Sequence, residues 1–375
     1  MVCKRTHELA SAATIMHDCR GWLESFVGKR RLVLMWALLA LLAAGSSRAE
    51  MVTDLHTATV PVADQSSKAL AVASRQALAD VLVKVSGSRQ LLRNPGVVTA
   101  LGQSRSHVQQ YAYVRGKSPG AELSVRVEFD GAFITDLVRQ AGAPLWTANR
   151  PVVLAWVVVE DEAGKHFVNW DSAPEQAQLL ADEFSRRGVP VQLPMFDLVD
   201  MAAVSTEDAW RLDANVLLAA SARYDVQNVV AGRLASLSSG KSLGDWSYFY
   251  QGDRVNRSVT VPDLQAFLRN GVGIVAGKMA ARYAVLPSGG EDGEMRMLVT
   301  GVHSYADYAA IVRWLEDLEL VDYANIRKVQ GERIELHLQA QANASQLAAI
   351  IELNDRLLPL PVSGSNVQLN YQWRR

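Results

Sequence analysis

The chain has 375 residues, 49% hydrophobic and 21% charged, a composition that fits two or three folded domains and excludes a disordered or collagen-like chain. Lys and Arg number 38 against 39 Asp and Glu, a net charge of -1, so no basic excess is available to hold a nucleic-acid backbone.

The first feature along the chain is an export address. Lys29-Arg30-Arg31 precedes thirteen uncharged apolar residues, Leu32 to Ala44, and the following Gly45-Ser46-Ser47-Arg48-Ala49 places small residues at Ser47 and Ala49. This is the pattern of a secretory signal peptide cleaved after Ala49. A membrane-spanning helix needs about 20 apolar residues, and this run is shorter. Residues 1–28 carry Glu8, Asp18 and Glu24 and read as an upstream extension, with Val27 as a candidate alternative start. The expected location is periplasmic or secreted, with no stable membrane span after cleavage. Removing residues 1–49 leaves 31 Lys and Arg against 36 Asp and Glu, and no cysteine, since Cys3 and Cys19 both lie upstream. The exported chain then has no disulfide, no thiol nucleophile and no cysteine metal ligand, and its fold rests on hydrophobic burial.

Residues 50–148 read as a first α+β unit. Leu55 to Val62 is a strand, and Asp64 or Ser66 caps a helix whose Leu70, Ala73, Ala77, Leu78, Val81, Leu82 and Val85 recur at three and four. Asn94-Pro95 opens a second helix with a cap and a first-turn proline. Leu123, Val125, Val127 and Phe129 alternate with polar residues, the period of a strand with one wet face, and Phe133 to Gln140 is a short closing helix.

Residues 149–286 restart the pattern as an α/β unit with a mixed sheet. Pro151 to Val159 is almost unbroken apolar sequence, the mark of a strand covered on both faces. A helix from Pro174 to Arg187 stops at Gly188, Val189 to Leu193 is the next strand, and one helical stretch spans Thr206 to Ala222. The strand Asn228 to Leu234 takes Trp246 to Tyr250 as an antiparallel partner, and Val261 to Tyr283 is amphipathic helix. Residues 287–294, beginning Pro-Ser-Gly-Gly-Glu-Asp-Gly, form a linker. Beyond it, residues 295–375 run strand, helix, strand, strand, helix, strand, the order of a ferredoxin-like βαββαβ unit. The whole is a multi-domain α/β and α+β protein built on open mixed sheets.

Candidate chemistry is sparse. Ala235 to Ser242 fits a loose phosphate-loop pattern but leads into a strand, where the amides of a helix N-terminus are missing, so it reads as a hairpin loop. Gly271, Gly273 and Gly277 resemble a dinucleotide fingerprint with the wrong spacing inside a helix, which points to helix packing. His56, His107, His166, His303 and His337 are scattered, and His337 falls on the polar alternation of a strand, the solvent side; no metal, cofactor or catalytic set is expected. Glu160-Asp161-Glu162 before Gly164 reads first as a solvated turn. The cluster could instead hold a cation or serve as acid and base, and Glu160, Asp161, Asp171 and His166 are the best candidate acid–base residues, being at one end of a central strand. Trp246, Tyr248 and Tyr250 share one strand face, which is either core beneath a helix or, if open, a platform for stacking a sugar or a partner side chain.

The alanine-rich helix Ala69 to Gly87 ending in Val-Ser-Gly, the strand beginning Arg150-Pro151-Val-Val-Leu-Ala-Trp, and Val-Thr-Gly-Val-His-Ser-Tyr-Ala-Asp-Tyr at 299–308 together resemble domain-of-unknown-function family 2066, uncharacterised proteobacterial envelope proteins. The resemblance covers most of residues 50–375 and implies an envelope location without catalytic residues. In architecture the middle unit is also loosely similar to the N-terminal domain of the Tol-system propeller protein, which implies an assembly role. The leading expectation is therefore an exported, non-catalytic envelope protein that engages another envelope protein. The alternatives are a periplasmic glycan or small-molecule binder and a hydrolase whose site assembles only in space.

Overall fold

The computed structural model of the protein describes residues 49–115, 123–162, 164–237, 240–250, 252–286, 294–318, 320–354, 356–361 and 367–374. The expected signal peptide and the linker up to residue 293 lie outside them. The fold is mixed α+β, with open sheets and neither barrel nor propeller among the described residues.

The short strand β1 (Ala49–Met51) leads to β2 (Thr57–Pro61), which joins β3 (Val108–Arg115) and β4 (Leu123–Phe129) in an antiparallel sheet of order β2-β4-β3. Helix α1 (Ser67–Ser86) buries the expected stripe from Leu70 to Val85 on this sheet. Ser66 caps it by accepting from Ala69 N at 3.1 Å, and Gly87, at φ 70°, stops it with its N–H on Val83 O. Asn94 caps α2 (Pro95–Gly102), and Asp130 caps α3 (Gly131–Gln140).

The second sheet has the order β11-β10-β9-β6-β7, with a further short strand also on β6. After β5 (Asn149–Pro151), which pairs with β1 in a separate two-stranded sheet, its strands are β6 (Val153–Asp161), β7 (Gly164–Phe167), β8 (Val191–Gln192), β9 (Asn228–Ser236), β10 (Ser242–Tyr250) and β11 (Asp253–Val261). Central β6 is covered on both faces, as its apolar run requires. Val153, Ala155 and Val157 point into a core shared with α4 (Pro174–Arg186), while Leu154, Trp156 and Val158 face the opposite core. After α5 (Leu198–Ala203), the helical stretch expected over 206–222 is broken. Two short helices, α6 (Thr206–Trp210) and α7 (Ala214–Ser221), stand there because Leu212 turns to φ 54° and Asp213 re-caps the chain on Asn215 N and Val216 N. Helix α8 (Leu264–Tyr283) starts three residues later than expected, since Val261 belongs to β11 and Asp263 is the cap.

The third sheet has the order β13-β14-β12-β16-β15. In chain order its elements are β12 (Glu294–Thr300), α9 (Tyr305–Glu316), β13 (Val321–Gln330), β14 (Arg333–Ala340), α10 (Ala344–Ile351), β15 (Leu357–Pro359) and β16 (Leu369–Trp373). The strand–helix–strand–strand–helix order of the split unit is present, with one strand added. β15 leaves α10 and turns back, so that β16 enters the sheet parallel to β12 and β15 becomes the edge.

Arg150 ties the first two sheets together. Fully buried, it donates from Nε to Thr147 O at 2.9 Å, from Nη2 to Lys84 O and Trp146 O at 2.9 Å, and from Nη1 to Gly188 O at 2.8 Å and Arg187 O at 3.2 Å. Its guanidinium also lies 3.8 Å above the Trp146 ring. The cation sits between the carbonyl ends of α1 and α4, where both helix dipoles are negative. A side chain at Gly188 would strike Arg150 Nη1 at 2.5 Å, and Gly188 has φ 63°, so glycine is required there.

Candidate functional site

The strongest departure from ordinary burial lies between β8 and α6. Met195, Leu198, Val199 and Met201 are 59%, 84%, 58% and 66% exposed, four large apolar side chains within seven residues. Isolated exposed apolar residues are common, but a contiguous group marks a contact surface.

The segment beneath them is held rigidly by a polar cluster. Asp197 caps α5, accepting at Oδ1 from Val199 N (3.1 Å) and Asp200 N (3.0 Å). Arg223 grips Asp197 with a two-pronged contact, Nη1 to Oδ1 at 2.7 Å and Nη2 to Oδ2 at 2.8 Å, and also reaches Asp200 Oδ1 at 2.9 Å. Asp200 is buried, and its Oδ2 accepts from Phe196 N at 2.9 Å and from the Tyr224 hydroxyl. The Tyr224 oxygen in turn accepts from Met195 N at 2.8 Å. Arg223 holds the Asp197 carboxyl well below the usual carboxylate range, while burial, and then the hydrogen bond to Asp200, push Tyr224 up to about 12.

Phe196, at φ 51°, occupies the left-handed region that a bulky residue avoids. Its ring packs against Phe167 at 4.9 Å and Trp156 at 5.6 Å between centroids, anchoring the loop in the core while its neighbours face outward. A strained, pinned backbone presenting apolar side chains is pre-organised for docking, because little ordering entropy is left to lose. Sequence reasoning missed this site, which the Thr206 to Ala222 helix reading bypassed. The available signal was Met-Phe-Asp-Leu-Val-Asp-Met at 195–201, where two acids interrupt an apolar run.

The aromatic face is closed. Trp246 and Tyr248 are each 1% exposed; Trp246 stacks on Phe267 of α8 at 4.3 Å, and Tyr248 donates to Asn228 Oδ1 at 2.7 Å while stacking on Tyr250. Only Tyr250 is partly open, so the three form core beneath α8 and not a stacking platform. The acids Glu160, Asp161 and Glu162 flank the β6–β7 turn, with Asp161 paired to Gly164. Asp161 Oδ2 lies 3.7 Å from His166 Nδ1 and Asp171 is exposed on the following loop, so the contact does not extend to a convergent set. His337 is buried rather than solvent-facing, because Arg327 reaches across from β13 to 3.1 Å from its Nε2. Among the described residues no group of three His, Cys, Asp or Glu could hold a metal. The phosphate-loop look-alike closes the β9–β10 hairpin, with Leu237 N on Lys241 O.

Residues 49–147 match a Domain of unknown function (DUF8605). This corrects the expected resemblance to family 2066, and no likeness to the Tol-system propeller protein is shown. Of the three motifs behind that resemblance, two lie outside the matched segment, and all three do local structural work. Val-Ser-Gly is the stop of α1, Arg150 is the packing cation, and Gly301, at φ 77°, turns the chain toward Ser304, the cap of α9. Caps and turns of this kind recur in unrelated α/β chains. No curated protein matches the chain. A solved structure titled "Crystal structure of uncharacterized protein" aligns at 13% identity over 35% of this chain and 90% of that one, with a TM-score of 0.17, a level that carries no argument. No helix among the described residues is long and apolar enough to cross a membrane.

Proposed function

We propose that the chain is an exported, non-catalytic protein of the cell envelope, periplasmic or secreted, that works by docking its 195–201 segment into an apolar groove of another envelope protein. The observation that carries this reading is the pinned exposure of Met195, Leu198, Val199 and Met201 above the Asp197–Arg223–Asp200–Tyr224 cluster. The export address at 29–49 supports the location, and the family match begins at residue 49, where that address ends. A protein partner is favoured over a bilayer by charge. Asp197, Asp200, Glu207, Asp208 and Asp213 outnumber Lys165, Arg211 and Arg223, the cations paired with them, so the segment keeps an acidic surround, whereas surface-binding membrane elements are rimmed by Lys and Arg.

The test places a photo-crosslinking residue at Leu198 and compares captures with and without Leu198→Asp/Met201→Asp. One recurrent crosslinked protein, lost in the double variant while melting is unchanged, is the expected result. Flotation of the exported chain with vesicles that is lost in the Leu198→Asp/Met201→Asp variant would replace the reading with a lipid one, and a concentration-dependent dimer lost in the double variant would replace it with self-association.

A further inference from the structure

A second feature, independent of the apolar segment, is a cleft of about 660 Å³ between the end of α1, the end of α4, β11 and α8. Five arginines line it: Arg89, Arg186, Arg187, Arg257 and Arg269. The acids in contact with them are Glu183, which accepts from Arg186 Nη2 at 2.6 Å and lies 3.6 Å from Arg269 Nε, and Asp80, 3.5 Å from Arg186 Nη1. The cleft therefore keeps an excess of positive charge.

Arg187 is the deepest of the five, 7% exposed. Its Nη2 donates to Gly87 O at 3.3 Å, but its Nε is buried with no partner. A buried N–H without an acceptor is destabilising, so Arg187 stands at the cleft with its hydrogen-bonding capacity only partly met. Burial, then the neighbouring Arg89 and Arg186, push this guanidinium down to about 10, and an anion would offset the repulsion from those two like charges.

The opposite wall is bare. Gly273 and Gly277 of α8 line the cleft, and a Cβ at either would meet nothing within 4 Å. Gly271 differs, since its Cβ would strike Trp246 at 2.2 Å. Close packing therefore explains Gly271 and leaves the other two unexplained, although glycine weakens a helix interior relative to alanine. Bare backbone on that side leaves room for a ligand to lie against the helix.

We propose that this cleft binds a phosphate-bearing ligand, gripped by the guanidinium forks of Arg89, Arg187, Arg257 and Arg269 with the remainder of the molecule against Gly273 and Gly277. Phosphate is favoured over carboxylate because its terminal oxygens can accept from several forks at once, whereas a carboxylate is satisfied by one or two. The volume exceeds that of a lone phosphate, so the group belongs to a larger molecule, either a soluble phosphate ester or a phospholipid headgroup.

The exported chain is titrated calorimetrically with inorganic pyrophosphate and glucose 6-phosphate, with citrate as the carboxylate control, and is floated with phosphatidylglycerol vesicles. Binding of a soluble phosphate, or of the vesicles alone, supports the site and assigns the source. Arg89→Ala/Arg257→Ala, both exposed positions, should weaken that binding at least about tenfold. Gly277→Glu should abolish binding while the melting temperature holds or rises, because the helix gains a better former in open space. The proposal is overturned if no phosphate probe binds, if citrate binds as tightly as pyrophosphate, or if binding persists unchanged in both variants.

Discussion

Arg150 and Arg187 are both buried arginines, and both belong to the junction of α1 and α4, yet they are opposites. Arg150 spends its guanidinium on five backbone carbonyls and an aromatic face, and Gly188 is shaped around it. Arg187 reaches one carbonyl, keeps its Nε without an acceptor and stands beside two like charges. A satisfied buried cation holds a structure together; an unsatisfied one at the edge of a cleft is a place for something to bind. The Arg223 cluster is a third case, in which the charges are satisfied but the satisfaction is spent on presenting apolar side chains to solvent.

Substitutions should separate these cases by size. Arg150→Met should be the most damaging, lowering stability in urea by about 3–5 kcal/mol, since several buried carbonyls lose their donor at once. A loss under about 1 kcal/mol would show that the carbonyls are rehydrated and that Arg150 is no rivet. Asp200→Ala should cost about 2–3 kcal/mol by stranding Phe196 N and the Tyr224 hydroxyl, and should release the 195–201 segment to proteolysis. Protection equal to the parent chain would break the claim that this cluster pins the segment.

Lys84 sharpens the Arg150 case through pH. Its Nζ is buried on Thr57 O (2.8 Å) and Asp54 O (3.1 Å), and burial, followed by the charge of Arg150, pushes it down to about 8. Below pH 8 the folded state bears the burial of the charge. Between 8 and 10.5 the unfolded chain holds a proton that the folded chain has lost, so stability rises with pH across that window. Relative to Lys84→Met, the parent chain should gain about 1–2 kcal/mol from pH 8 to 10. A flat difference would mean that Lys84 is not desolvated.

Arg187→Ala should change stability by no more than about 1 kcal/mol, because the loss of one hydrogen bond is offset by relief of repulsion. A loss as large as that of Arg150→Met would erase the contrast between them. Smallest of all, Leu198→Asp/Met201→Asp should stay within about 0.5 kcal/mol of the parent chain, since neither side chain is packed; melting curves check it.

What was legible in the sequence was local. The alternation in Leu123 to Phe129, the double-sided run of β6, the caps at Ser66 and Asn94 and the stop at Gly87 all follow from one element's own period and dihedral demands. The burial of Trp246 and Tyr248 could be framed only as one of two outcomes, because a strand's period says which side chains share a face but not what lies over it. The 195–201 segment reads by composition like buried chain. It ended outside because Asp200 is satisfied inward by Arg223 and Tyr224, partners more than twenty residues away.

The short elements were lost for a related reason: β1, β5 and β15 are three residues each, too brief for a period, and exist because another strand is there to receive their amides. The arginine cleft is the extreme case. Arg89, Arg187, Arg257 and Arg269 come from four separate stretches of chain spread over 180 residues, each unremarkable in its own stretch of sequence. Periodicity and capping are encoded within a turn or two of chain, so the sequence alone determined the longer helices and strands and which of their residues share a face. Charge convergence and the burial of Arg150 and Arg187 depend on how those elements pack, and only the tertiary structure decided that one arginine would be enclosed by carbonyls and the other left open to a cleft.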